Sequence, residues 1–288
     1  CLPYSLIELK KILMNSLPSI FNDVIGPVMR GPSSSHTAAS WRVARMAVQM
    51  IDGPLKHALI EFDKDGAWVT NYEEQGTVLG MNGGLLEVDM ADDLMKKTDR
   101  IASERGIDIE YKISTFDNTH ANSMQLTLTS VQGDCIKVLA ASLGGGSFEI
   151  QKIDECQVQM KGDYHQVLIW SNSIIEEELL QIKPADSQLK LIEYADFRLY
   201  IFESSQPFDE EFKNHITTYD EVYKVVNVSA VMPVIAGKEK ELPFSSIESL
   251  INYSVEEGLS LGSLGLLYEQ CRSGLPVEVL KDKMKNII

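Results

Sequence analysis

Gly31-Pro32-Ser33-Ser34-Ser35-His36-Thr37 runs directly into Ala38-Ala39-Ser40-Trp41-Arg42-Val43-Ala44-Arg45-Met46-Ala47-Val48. The Gly-Pro pair breaks the backbone, and the hydroxyl residues after it precede Val43, Ala44, Ala47, Val48 and Ile51 at helical spacing. That order predicts a loop opening a helix over 38–52. The loop's hydroxyls and imidazole then stand where free backbone N–H groups and the positive end of a helix dipole converge. Such a place suits an anion, for example an amino-acid carboxylate. The same residues also serve as a plain helix cap, and local chemistry leaves both readings open.

The chain has 288 residues, 44% of them hydrophobic and 24% charged, an ordinary globular composition long enough for roughly two domains of about 150 residues. A net charge of −16 argues against a nucleic-acid partner, which needs clustered Lys and Arg. Lys281, Lys283 and Lys285 come nearest to a basic stripe and read as a solvated helix face. No apolar run reaches the ~18 residues of a membrane span. Cys1–Leu17 is amphipathic and lacks the charged, apolar, small-residue order of a secretory signal, so a cytoplasmic location is expected. The four cysteines, Cys1, Cys135, Cys156 and Cys271, show no C-x-x-C spacing and read as reduced thiols; no metal ligands are assigned to this chain.

Three segments follow from the patterning. Residues 21–150 mix helix and strand. Ala58–Phe62 reads as a strand, Asp65-Gly66 as a turn and Ala67–Thr70 as its hairpin partner. Residues 76–84 are dense in glycine, a helical pattern covers Asp92–Arg105, and strands return at Ile107–Ile113, Ser123–Val131 and Cys135–Leu143. Gly144-Gly145-Gly146 is a hinge into Ser147–Ile150. Residues 151–236 alternate as β-α-β-β-α-β: strands at Val158–Met160 and Gln166–Trp170, a helix at Ile174–Ile182, a hairpin of Leu189–Tyr194 with Arg198–Glu203, a helix at Phe208–Val222 and a strand at Lys224–Val234. That is the order of the ferredoxin-like split unit. Residues 237–288 read as three helices, at 247–257, 260–273 and from Val277 onward, punctuated by Gly258, Gly274 and Pro276. With little core of their own, they are expected to pack onto a partner chain or a further domain. The fold class is α+β.

Of five histidines, His36 and His120 stand in polar, turn-rich settings, where an imidazole can titrate near neutrality and move protons; His57, His165 and His215 read as structural or solvated. Gly31–Thr37 closely resembles the Gly-Pro-Ser-Ser-Ser-His-Thr signature of the beta chain, or beta domain, of iron–sulfur-dependent L-serine dehydratases. Further resemblances follow in order. Gln75-Gly76-Thr77 and Gly83-Gly84-Leu85-Leu86 occupy the place of that family's His-Gly-Thr-Asp and Gly-Gly-Leu-Leu run. His120-Ala121-Asn122 looks like its His-Pro-Asn, and Gly144-Gly145-Gly146 like its Gly-Gly-Gly.

The resemblance implies an allosteric-substrate-binding-type α/β sandwich over 21–150 and an ACT-like domain over 151–236. Over 237–288 it implies a helical segment similar to the start of the family's alpha chain. It implies α,β-elimination of water from L-serine, giving pyruvate and ammonia, with a [4Fe–4S] cluster carried by an alpha partner and none bound here. His36 and His120 would contact substrate or move a proton; Ser33, Ser34, Ser35, Thr37, Gln75, Gly76, Thr77 and Asn122 would hold it. A homodimer through ACT-like sheets is also implied. Three positions depart from the family: Gln75 replaces a histidine, Val78 an aspartate, and Asn172-Ser173-Ile174 lacks the Pro-Gly expected of an ACT turn. A non-catalytic module binding a small amino acid or anion is the competing reading.

Overall fold

The structure, a computed structural model, describes residues 18–117, 120–194, 196–235 and 242–287. Cys1–Leu17 and the Asn118-Thr119 pair ahead of His120 lie outside the described residues. The fold is mixed α+β with two sheets. The serine loop forms a tight π-type turn, Ser34–Ala38, that leads into helix α1 (Ala39–Ala47) and a 3-10 turn at Val48–Met50.

The first sheet has the order β2-β1-β3-β4-β5-β6. Its strands are β1 (Leu55–Asp63), β2 (Asp108–Ser114), β3 (Ser123–Ser130), β4 (Cys135–Gly144), β5 (Ser147–Ile153) and β6 (Cys156–Met160). β1 lies parallel to β2 and antiparallel to β3. Ala58, Ile60 and Phe62 alternate inward along β1 and meet Val43, Ala44 and Ala47 of α1 in one apolar cluster, the pattern of a sheet packed on one face.

Two expectations change here. Ala67–Thr70 is a run of turns and not a strand. β2 and β3 already occupy both edges of β1, so a hairpin partner has no edge to pair with. The Val158–Met160 strand, expected with the second unit, pairs instead with β5, through Ile150↔Met160 and Ile153↔Cys156.

The glycine-dense stretch is helix α2 (Thr77–Leu85), which lies against α1. A Cβ at Gly80 would stand 2.0 Å from the Thr37 carbonyl oxygen and 2.3 Å from Ser40 Oγ; one at Gly84 would stand 2.3 Å from the Trp41 carbonyl oxygen. Glycine at these positions is what lets the two backbones approach. A 3-10 turn (Asp93–Lys97) and helix α3 (Thr98–Arg105) complete the crossover to β2.

The second sheet comprises β7 (His165–Ser171), β8 (Ser187–Glu193), β9 (Arg198–Ser204) and β10 (Val222–Val228), in the order β10-β7-β9-β8 with every pair antiparallel. Helices α4 (Glu176–Ile182) and α5 (Glu210–Ile216) complete the β-α-β-β-α-β order. α5 is shorter than the pattern suggested; Asp209 starts it by accepting from the Phe212 N–H at 2.7 Å. β7 is buried almost throughout because both its faces are covered. Val167 and Ile169 join Leu179 and Ile216 under the helices, while Leu168 and Trp170 join the core of the first sheet.

Helices α6 (Ile247–Glu257), α7 (Leu261–Ser273) and α8 (Val277–Ile287) fall where the sequence placed them. Ser246 begins α6 with a capping box, and Gly258 and Gly274 end α6 and α7 in the left-handed region. Their core is shared with the chain's own residues near position 20. Phe21, Val234 and Leu280 pack together, and Glu269 accepts from Ser19 Oγ at 2.6 Å and the Ile20 N–H at 2.8 Å. Ile247 and Val255 on α6 remain 79% and 78% exposed.

Gly80→Ala should destabilise the chain by about 2 kcal/mol or more, against the usual gain of about 1 kcal/mol for Ala over Gly in an exposed helix. Gly262→Ala on α7, where a Cβ would meet nothing closer than Ser260 Oγ at 4.0 Å, should show the ordinary gain. Urea denaturation of both variants is the check; equal stabilisation would contradict the close α1–α2 contact.

Candidate functional site

The serine loop and the helix it opens are held from four sides, and each side is one of the sequence motifs. Thr37 is fully buried, and its hydroxyl donates to the Gln75 carbonyl at 3.2 Å. A Cβ at Gly31 or Gly76, both at positive φ, would lie 2.5 Å and 2.4 Å from Thr37 Oγ1, so two glycines make the slot for this hydroxyl. Gly83 and Gly84 lie on the α2 face that packs against α1, where their Cβ positions would meet Trp41, Ala44 and Met95. Arg42, 1% exposed, donates from Nη1 to the Gly146 carbonyl at 2.6 Å and so ties α1 to the Gly-Gly-Gly turn. Burial pushes the Arg42 guanidinium down to about 10, against the opposing pull of Asp23.

The His120 segment reaches the loop through Ser142 on β4. The Ser142 hydroxyl donates to the Ser35 carbonyl at 2.8 Å, and its N–H donates to the Asn122 carbonyl at 3.0 Å. The turns after β1 make a second bridge. The Ala67 N–H donates to the Ala121 carbonyl at 3.0 Å, and the adjacent Trp68 ring lies 5.7 Å from the His36 ring. His36 and His120 thus belong to loops braced on two sides by shared neighbours.

Comparison with known proteins bears on this arrangement. No protein-family model matches the chain. Over 154 residues it is 33% identical to a probable L-serine dehydratase beta chain of Bacillus subtilis (strain 168), covering 54% of this chain and 68% of that protein. The chain belongs to the L-serine dehydratase beta-chain family. An L-serine dehydratase beta chain of Peptoniphilus asaccharolyticus is 29% identical over 148 residues, 51% of this chain and 66% of that one.

In this beta-chain relative the hydroxyls of the loop are not spent on capping. Ser33 precedes the turn without a side-chain capping bond. Its Oγ lies 3.2 Å from Ser35 Oγ and 3.2 Å from His36 Nδ1, with Ser35 Oγ 3.3 Å from the same nitrogen. Ser33, Ser34, Ser35, His36, Gln75 and Asn122 are half-buried and can meet a ligand; Thr37, Gly76 and Thr77 are buried and shape the loop from behind. Thr77 Oγ1 finds no hydrogen bond among the described residues. The Gln75 amide offers donors and an acceptor but exchanges no proton near neutrality.

The histidines differ in their surroundings. The Asn122 N–H donates to His120 Nδ1 at 3.0 Å, so neutral His120 carries its proton on Nε2 and presents a donor. Burial lowers the His36 pKa below 6.5, and the neighbouring Asn71 side chain works in the opposite direction. His57 lies 3.8 Å from Asp108 and 3.6 Å from Glu110, His165 Nδ1 accepts from the Ala230 N–H at 3.4 Å, and His215 stands near Tyr219.

Cys135 is exposed on β4, whereas Cys156 on β6 and Cys271 on α7 are buried. These thiols do not converge with one another among the described residues. Burial also pushes the Cys156 thiol up to about 11. The described cysteines therefore do not fit an iron–sulfur cluster. Sequence reasoning missed Trp68, Asn71 and Ser142. Trp68 was hidden inside an apparent strand, Asn71 carries no local signal, and Ser142 lay unremarked in a correctly placed strand.

Because the native state of His36 has the lower pKa, the unfolded chain takes up its proton first, and stability falls as pH drops through 6.5 and below. His36→Gln should reduce that slope by at most about 1.4 kcal/mol per pH unit between about pH 5 and 7. Urea denaturation across that range checks it; a slope steeper in the variant would reverse the assignment.

Proposed function

We propose that this chain is the beta-type component of an L-serine dehydratase, converting L-serine to pyruvate and ammonia together with an alpha chain or domain that carries a [4Fe–4S] cluster. The carrying observation is the convergence of four motif segments on the serine loop and the helix it opens, in a chain of the L-serine dehydratase beta-chain family. The cluster, when bound by the partner, supplies a Lewis acid for the substrate hydroxyl. No step is routed through this chain's own cysteines.

What the chain contributes is binding and orientation. Ser33, Ser34, Ser35 and Asn122 supply hydroxyl and amide groups for the carboxylate and hydroxyl of L-serine. Gln75 positions the substrate in place of a histidine. Thr37, Gly76 and Thr77 fix the loop against α2. His120 donates from Nε2 to an oxygen of the substrate, and His36 acts on the proton inventory of the loop through Nδ1.

In the same reading, residues 21–150 form the allosteric-substrate-binding-type sandwich, with β6 added to its sheet, and 151–236 the ACT-like domain. Residues 237–288 form an alpha-like helical segment. The strand order β10-β7-β9-β8 supports the ACT-like assignment. A homodimer and a cytoplasmic setting complete the proposal; among the described residues no helix is long and apolar enough to cross a membrane.

One observation favours a second reading. His120 is a donor in its neutral form and His36 Nε2 is turned into the protein, an arrangement suited to holding a small amino acid without deprotonating it. Anaerobic reconstitution with a cluster-bearing alpha chain separates the two. The enzyme reading expects pyruvate from L-serine, reduced about 100-fold in kcat/KM by His120→Ala or by Ser33→Ala with Ser35→Ala. No gain over the alpha chain alone, with calorimetric binding of L-serine retained, would leave the binding module standing.

A further inference from the structure

The two nitrogens of the His36 ring face different surroundings. Nδ1 meets Ser33 Oγ at 3.2 Å and Ser35 Oγ at 3.3 Å. Nε2 is buried and makes no hydrogen bond of good geometry among the described residues, and Asn71 Oδ1 is in the same condition. Buried polar atoms are rarely left unpaired. A ring N–H and an amide oxygen are complementary, and Asn71 is near enough to bias the protonation of the ring.

The turns that carry Asn71 are well anchored. The Asn71 N–H donates to the Trp68 carbonyl at 3.1 Å, and the Gln75 N–H donates to the Asn71 carbonyl at 3.0 Å. Trp68 is 2% exposed; its ring meets Phe62 edge-on at 5.7 Å and lies tilted at 36° over His36.

We propose that Asn71 and Trp68 are positioning residues that hold His36 in its Nε2–H tautomer, with Asn71 Oδ1 as acceptor, so that Nδ1 is the working nitrogen and acts through the Ser33 and Ser35 hydroxyls. Nδ1 then accepts from one serine hydroxyl and that serine's oxygen accepts from the other, Ser33 Oγ and Ser35 Oγ being 3.2 Å apart, so that both oxygens keep lone pairs outward. They then suit the donor end of an amino acid, its ammonium or hydroxyl. The ligand assignment rests on the serine-dehydratase reading; the tautomer does not.

The test is a long-range proton–nitrogen correlation on the full chain labelled with 15N-histidine, with the His36 signals identified by their loss in His36→Gln. At neutral pH the wild type should show a protonated Nε2 and an unprotonated Nδ1. Asn71→Ala should move both nitrogens towards the averaged shifts of exchanging tautomers. Asn71→Asp should restore the acceptor and raise the titration midpoint above that of the wild type. Trp68→Phe should keep the tautomer. A protonated Nδ1 in the wild type overturns the proposal, as do His36 signals unaltered by Asn71→Ala. The wild-type spectrum decides the tautomer even if a variant does not fold. These spectra do not depend on pyruvate formation, so an inactive reconstitution would remove the enzyme reading and leave this result intact.

Discussion

The rest of the site depends on how closely α1 and α2 approach. At Gly80 and Gly84 one helix lies on the carbonyls of the other with no room for a methyl group. Because the backbones meet there, the start of α1 is fixed against the start of α2. Thr37 then reaches the carbonyl of Gln75, and the loop between Gly31 and Gly76 closes around a buried hydroxyl. A larger residue at either crossing would separate the helices and move the serines relative to everything downstream.

That constraint gives the family motifs a division of labour. The glycines of 76–84 and 144–146 are structural: they admit neighbouring atoms or supply positive φ. In the proposed function the serines and the two imidazoles are what remains for a ligand. Ser142 joins the groups by spending its hydroxyl on one loop and its backbone N–H on the other. His120 uses Nδ1 as an acceptor toward the Asn122 N–H, and His36 places Nδ1 between two serine hydroxyls, which restricts the roles open to each ring.

Much of this was legible in the residues themselves. The helix after Thr37, the caps around Ser246, Gly258 and Gly274, and the strands at Ala58–Phe62, Ile107–Ile113, Ser123–Val131 and Cys135–Leu143 all rest on local chemistry, and local chemistry decided them. The misreadings share one cause. Ala67–Thr70 alternates like a strand, yet whether an edge of β1 is free depends on residues 108–130, far along the chain. Val158–Met160 likewise has strand character, but its choice of sheet depends on β5 offering an edge. Asn71 could not be found because its significance comes from facing His36 across a turn that the pattern did not reveal. The isolated look of the last three helices arose because their apolar partner, Phe21, lies more than 200 residues earlier.

That last contact has a kinetic side. Ser19 and Ile20 are bound by Glu269, and Asn22 exchanges two hydrogen bonds with Val234, 212 positions later. During synthesis Ser19, Ile20 and Asn22 cannot gain these contacts until Val234 and Glu269 have emerged, although Asp23 meets Ser147 earlier. Contacts of such separation slow folding, because the loop must close before its reward is gained. Ser19, Ile20 and Asn22 thus form a seam whose closure waits on residues from the far end of the described chain.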